Sequence, residues 1–167
     1  MNDSMDYFRK MDSSKYTAQD MPEYPARVLT NHCLMKGLQA GSVMGTFVIT
    51  PIYTVYRKVP LPLAWKLCAF PASLFGSSIG LALLMGKEMH GDLDVDGVDD
   101  RAFRIAQNKD QTRLDGYSIV GAAVGATVGA LVGKFGVTTI LPAATSGIAM
   151  SVVYFTLEKM ARKKNVE

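Results

Sequence analysis

Residues 121–133 read GAAVGATVGALVG, with Gly121, Gly125, Gly129 and Gly133 at unbroken four-residue steps. At 3.6 residues per turn these glycines form one ridge that drifts slowly around a helix. In a water-exposed helix each glycine costs about 1 kcal/mol relative to Ala. A soluble helix therefore has little reason to carry four. In lipid the ridge has a use, because a neighbouring backbone can approach where no Cβ stands. The stretch reads as a helix–helix packing seam inside a bilayer.

Three more apolar blocks accompany it. The first, residues 37–56, carries no charge and matches a hydrocarbon core of about 30 Å at about 1.5 Å per residue. Gly37, Gly41 and Gly45 repeat the four-residue step, and Pro51 predicts a late kink. Tyr53 and Tyr56 suit an aromatic belt, and Arg57 and Lys58 close the block. The second block, 63–86, opens with Trp65 and Lys66 at headgroup depth, has room to bend at Pro71, and sets Gly76 and Gly80 four apart. The ladder block spans 117–133, and the last block spans 137–157 with Gly147 at its centre. The sequence thus predicts an all-α membrane protein. Four antiparallel transmembrane helices pack on glycine ladders within a domain of residues 36–160. A polar head, 1–35, carries an interfacial helix from Pro25, one long polar loop covers 87–115, and a basic tail covers 161–167.

The polar loop holds two candidate features. Asp92, Asp94, Asp96 and Gly97 match the opening of a calcium-binding EF-hand loop. The match fails at the twelfth position, where Phe103 replaces the bidentate Glu. A solvated acidic loop is the better reading. Asp99 or Asp100 is expected to cap a short amphipathic helix, with Phe103 and Ile105 leaning on the membrane or a partner.

Composition excludes several classes. A net charge of +3, without a basic groove interleaved with aromatics, argues against nucleic acid. Cys33 and Cys68 lack zinc spacing and read as free thiols, a bridge between them being the lesser alternative. His32 and His90 lie in polar segments, and His32 reads as simply polar rather than as a metal ligand. No catalytic fingerprint, nucleophile–base set or cofactor motif is present, so the chain reads as no enzyme and as needing no cofactor. The spans contain no acidic residue, which argues against a proton pathway. No apolar run follows the first residues, and Asp3, Asp6 and Asp12 spoil a mitochondrial presequence, so a mitochondrial address would be internal. All 15 acidic residues and 14 of the 18 Lys and Arg fall on the side of the termini and the long loop. The positive-inside rule sends that side to the cytoplasm or matrix. Arg57, Lys58, Lys66 and Lys134 belong to the short-loop side.

Four spans with glycine ladders, a charged loop before the third span, and Arg113 and Asp115 ahead of Gly121-x3-Gly125 resemble the mitochondrial translocase-channel superfamily over about residues 30–160. Only one residue separates Arg113 from Asp115, where that family has three. The superfamily includes inner-membrane protein translocases and a translocase-like accessory subunit of respiratory complex I. The resemblance implies a multi-pass protein of the mitochondrial inner membrane with both termini in the intermembrane space, opposite to the charge count. A family disulfide is not carried over, because Cys33 precedes the first span and Cys68 begins the second, near opposite faces. The expected role is a non-catalytic accessory subunit of a complex I-like respiratory complex, cementing neighbouring membrane subunits. Its lipid partners, cardiolipin included, would meet Arg57, Lys58 and Lys66 or the tail. The alternative is a subunit of a protein-translocase channel. The weak polar stripe of Thr46 and Thr50 and the scattered hydroxyls elsewhere favour the first.

Overall fold

The computed structural model describes residues 22–91, 95–133 and 136–164. Most of the head, Asp92, Asp94 and Lys134 lie outside the described residues, as does the Asp96 side chain. The calcium candidate therefore has no structural account. Every regular element among the described residues is helical. They are α1 (Pro25–Met44), a π-helical turn (Gly45–Ile49), α2 (Thr50–Arg57), α3 (Leu61–Met89), α4 (Val95–Gln107), α5 (Lys109–Val132) and α6 (Val137–Lys164).

Four helical stretches are long and apolar enough to cross a membrane: Pro25–Arg57, which runs through the π turn, then α3, α5 and α6. The shortest has 24 residues, about 36 Å at 1.5 Å per residue, against a hydrocarbon core of about 30 Å. Each helix overruns the apolar block that marks it. α1 begins at Pro25, where proline's missing N–H costs nothing in the first turn, and runs on unbroken. The expected separate interfacial helix is thus the first part of the first long helix. α5 likewise begins at Lys109, capped by the Asn108 side chain, which accepts from the Gln111 N–H at 3.1 Å. The expected loop is shorter by that much. α6 continues to Lys164 and so includes most of the basic tail.

Pro51 has its effect one turn early. It lacks the N–H that would bond the Phe47 carbonyl, and its ring crowds that carbonyl. The helix widens to a π turn just before it. The Thr50 N–H reaches back five residues to the Gly45 carbonyl, and Thr50 Oγ1 donates to the same oxygen at 2.7 Å. α2 ends at Lys58 in the left-handed region (φ 53°), and Pro60 prevents continuation.

The tightest helix pairs are α1 with α3 and α5 with α6, and α6 joins the two pairs by touching α1 and α3. α4 packs on α1 and buries Ala102 and Phe103. Asp99 and Asp100 do not cap α4, contrary to expectation. The helix already begins at Val95, so Asp100 sits inside it and pairs with Arg104 one turn on at 2.9 Å.

The distribution of side chains is the reverse of a soluble bundle. The interior is small: Ala64, Ala69, Ala102 and Ala149 are fully enclosed, and the largest fully buried side chains are serines, Ser42, Ser73 and Ser118. Large apolar residues face outward, with Phe75 69% and Leu131 70% exposed. A surface of that kind in water would be an extended association patch. Against acyl chains it costs nothing, and helices then associate through close packing and hydrogen bonds.

Candidate functional site

Among the described residues, a groove along α1 and α3 includes His32, Cys33 and Lys36 in an otherwise apolar lining. What distinguishes the described structure is how the helices are held, through two seams of backbone contact and three polar clusters.

In the first seam, a Cβ on Gly37 would overlap the Gly76 carbonyl and stand 2.8 Å from Ser77 Cα. One on Gly41 would stand 2.8 Å from Ser73 Cα, and one on Gly45 2.7 Å from Ala72 Cβ. Conversely, a Cβ on Gly76 would stand 2.9 Å from Gly41 Cα, and one on Gly80 would overlap the Cys33 carbonyl. In the second seam, a Cβ on Gly121 would overlap the Gly147 carbonyl, and one on Gly125 the Ala143 carbonyl. Gly129 faces Ala143 and Ile140, and Gly133 faces Thr139. Gly147 returns the contact onto Gly121, a role that its isolation in the sequence did not signal. By contrast, Gly86 and Gly116 face open space. Real Cβ atoms essentially never come within 3.0 Å of such neighbours. At the seam positions, then, the absent Cβ permits the approach. Each seam is flanked by an open apolar groove, about 630 Å³ along α1 and α3 and about 680 Å³ along α5 and α6.

The first polar cluster joins α1 to α5. Lys36 Nζ donates to Asp115 Oδ1 at 2.7 Å and to Gln39 Oε1 at 2.7 Å. Gln39 Nε2 donates to Asp115 Oδ1 at 2.8 Å and to Ser118 Oγ at 2.9 Å, and Ser118 donates to the Leu114 carbonyl. Gln39 and Ser118 are buried, while Lys36 and Asp115 are about a quarter exposed. A buried amide, fully engaged, sits under a half-screened ion pair, so each group compensates the desolvation of the next.

The second cluster joins α5 to α6. The Arg113 guanidinium donates to Tyr117 Oη at 2.8 Å and to Glu158 Oε1 at 2.8 Å, and lies over the Tyr117 ring. Arg162 donates to the same Glu158 oxygen at 2.6 Å, and Lys159 pairs with Asp110 at 2.8 Å. Tyr117 meets Tyr154 and Phe155 edge-on. Residues 113 and 115 are about 200° apart around a helix. That offset explains why Arg113 turns to α6 while Asp115 turns to α1.

The third cluster centres on Ser146 of α6. Trp65 Nε1 donates to Ser146 Oγ at 2.7 Å, and Ser146 lies 3.4 Å from Thr46 Oγ1. It ties the first, second and fourth long helices together. Thr46 and Thr50 are thus both engaged inside the protein. Sequence reading missed Lys36, Gln39, Ser146 and Glu158 as junctions, since partners 45–100 residues apart leave no local signal.

Arg57 and Lys58 close α2 and Lys66 stands in the second turn of α3, all three exposed. Cys33 and Cys68 are free. Cys33 meets α3 at Gly80, whereas Cys68 lies twelve residues earlier on that helix, about 18 Å away by helical rise. Among the described residues no group of three or more His, Cys, Asp or Glu could hold a metal ion.

A family model described as "Protein of unknown function (DUF1757)" matches residues 7–157. The chain belongs to that family, since the match takes in nearly all of it. No curated protein matches the chain.

Proposed function

We propose that this DUF1757 protein is a multi-pass membrane scaffold. In this reading it is a non-catalytic accessory subunit of a mitochondrial inner-membrane respiratory complex of the complex I kind, with other membrane subunits and phospholipid as its partners. The four long helices cross the bilayer antiparallel, on glycine ladders. The order of contacts supports this, because Gly37, Gly41 and Gly45 advance along α1 while their neighbours retreat from Gly76 to Ala69 on α3. Gly121, Gly125 and Gly129 likewise meet Gly147, Ala143 and Ile140 on α6.

The observation that carries the scaffold reading is the use made of the polar groups. The side chains of the Lys36, Arg113 and Trp65 clusters spend their hydrogen bonds joining one helix to another. Trp65, Ser146 and Tyr117 also border the groove along α5 and α6, and Lys36 borders the one along α1 and α3, but both grooves are lined mainly by Gly, Ala and large apolar side chains. The mitochondrial and respiratory assignment rests on the likeness of Arg113, Asp115 and the ladder to the translocase-like superfamily. Native gels of gently solubilised mitochondria, probed for this chain, test it. The expected result is migration with a respiratory complex. Migration only with protein-translocase components, or absence from mitochondria, would overturn it.

A further inference from the structure

The α2–α3 turn carries charge of one sign. α2 ends at Arg57 and Lys58, and Lys66 stands in the second turn of α3. Every acidic residue of the chain falls within 3–23, 88–115 or 158–167. The ion pairs among the described residues all belong to those other segments: Lys36 with Asp115, Arg104 with Asp100, Arg113 and Arg162 with Glu158, and Lys159 with Asp110. None of them involves Arg57, Lys58 or Lys66.

Beside these cations lies a cavity of about 490 Å³ between α2 and α3, lined by Thr46, Phe47, Pro51, Leu61, Pro62 and Trp65. Lys66 follows Pro62 by four residues and so continues the α3 face that lines the cavity, while Arg57 and Lys58 close α2 just before Leu61, which also lines it. An apolar slot beside a turn that carries three exposed cations, none of them in an ion pair among the described residues and Arg57 lying over the Tyr56 ring, fits a molecule with an anionic head and a hydrocarbon tail.

We infer that this end of the protein binds an anionic phospholipid, its phosphate on Arg57, Lys58 and Lys66 and one acyl chain in the cavity beside Trp65. The inference rests on reading the long helices as membrane spans. A soluble phosphate would satisfy the cations but leave the slot without an occupant. Lys and Arg at headgroup depth attract anionic lipid, and their aliphatic stems lie along apolar surface.

Trp65 is the chain's one tryptophan, so its fluorescence reports on the site. The full chain is placed in phosphatidylcholine vesicles, with brominated phosphatidylglycerol or brominated phosphatidylcholine added at equal mole fraction. The anionic quencher is expected to act at several-fold lower mole fraction. Arg57→Gln, Lys58→Gln and Lys66→Gln should each cut that preference, by up to about fivefold per charge. Lys163→Gln with Lys164→Gln, at the other end of the fold, should leave it intact. The single variants guard against a triple variant that fails to fold, which circular dichroism would reveal. Equal quenching by the two lipids, or a preference that survives in the folded triple variant, would overturn the inference. So would loss of preference to inorganic phosphate at matched ionic strength, which would indicate an anion site without a lipid. Quenching by neither lipid would overturn the membrane-span reading as well. Because the isolated chain is used, failure of the respiratory assignment leaves the outcome unaffected.

Discussion

Gly125→Ala and Gly116→Ala make a matched pair on one helix. Both add a single methyl group to α5, and both gain about 0.5–1 kcal/mol of helix preference. At Gly116 the new carbon has nothing within 4 Å. At Gly125 it would overlap the Ala143 carbonyl oxygen, with the carbonyl carbon at 2.9 Å and Ala144 Cα at 3.2 Å. The obstacle is backbone, so no side-chain rotation relieves it, and α5 and α6 must separate. Overpacking of this kind costs about 1–3 kcal/mol, which outweighs the gain in preference. In a chain of this length about 1 kcal/mol moves the melting temperature by roughly 2–4 °C. Melting of the purified protein in detergent, followed by circular dichroism at 222 nm, should therefore fall by several degrees for Gly125→Ala. Gly116→Ala should leave it level or slightly raised. Equal shifts for the two variants would refute the claim that the ladder is a seam.

Three more outcomes follow from the polar clusters and the thiols. Asp115→Asn leaves Lys36 without its carboxylate and should destabilise the fold by about 1–2 kcal/mol, below the cost of breaking a fully buried pair because both groups are partly exposed. Combining it with Lys36→Met should cost less than the sum of the two single changes, as a double-mutant cycle in detergent unfolding would show. Trp65→Phe removes the donor to Ser146 and should cost about 0.6–1.7 kcal/mol by the same measurement, while Ser78→Ala, an exposed hydroxyl bonded only within α3, should be near neutral. Cys33 and Cys68 should both alkylate after denaturation without reductant, and gel mobility should be the same with and without reductant; a reductant-dependent shift would contradict the placement of the two thiols.

The four helices long and apolar enough to cross a membrane were legible because lipid demands long uncharged runs, and the blocks at 37–56, 63–86, 117–133 and 137–157 supply them. Their ends were not. Hydropathy marks only the part of a helix that lies in hydrocarbon, whereas backbone hydrogen bonding carries on wherever nothing stops it. Residues 25–36, 109–116 and 158–164 carry charged and polar side chains and are yet helical. The same limit put the start of the amphipathic helix at Asp99 or Asp100, whereas it is already helical at Val95. Pro51 announced a disturbance, but its form, a π turn closed by Thr50 on the Gly45 carbonyl, depends on a local choice that spacing does not encode. The glycine positions stood out by period. Their partners did not, because Ala143, Ala72 and Gly147 become distinctive only when another helix lies against them. For the polar junctions, Arg113 and Asp115 attracted attention as a pair, while the structure sends them to different helices.

The most direct test of the scaffold account is the native-gel position of a Gly125→Leu chain expressed in place of the wild type. The larger side chain cannot fit against the Ala143 carbonyl. The account predicts a chain that stays in the membrane fraction after carbonate extraction but is lost from the respiratory complex, with the wild-type chain retained there. A Gly125→Leu chain that co-migrates normally with the complex would contradict it.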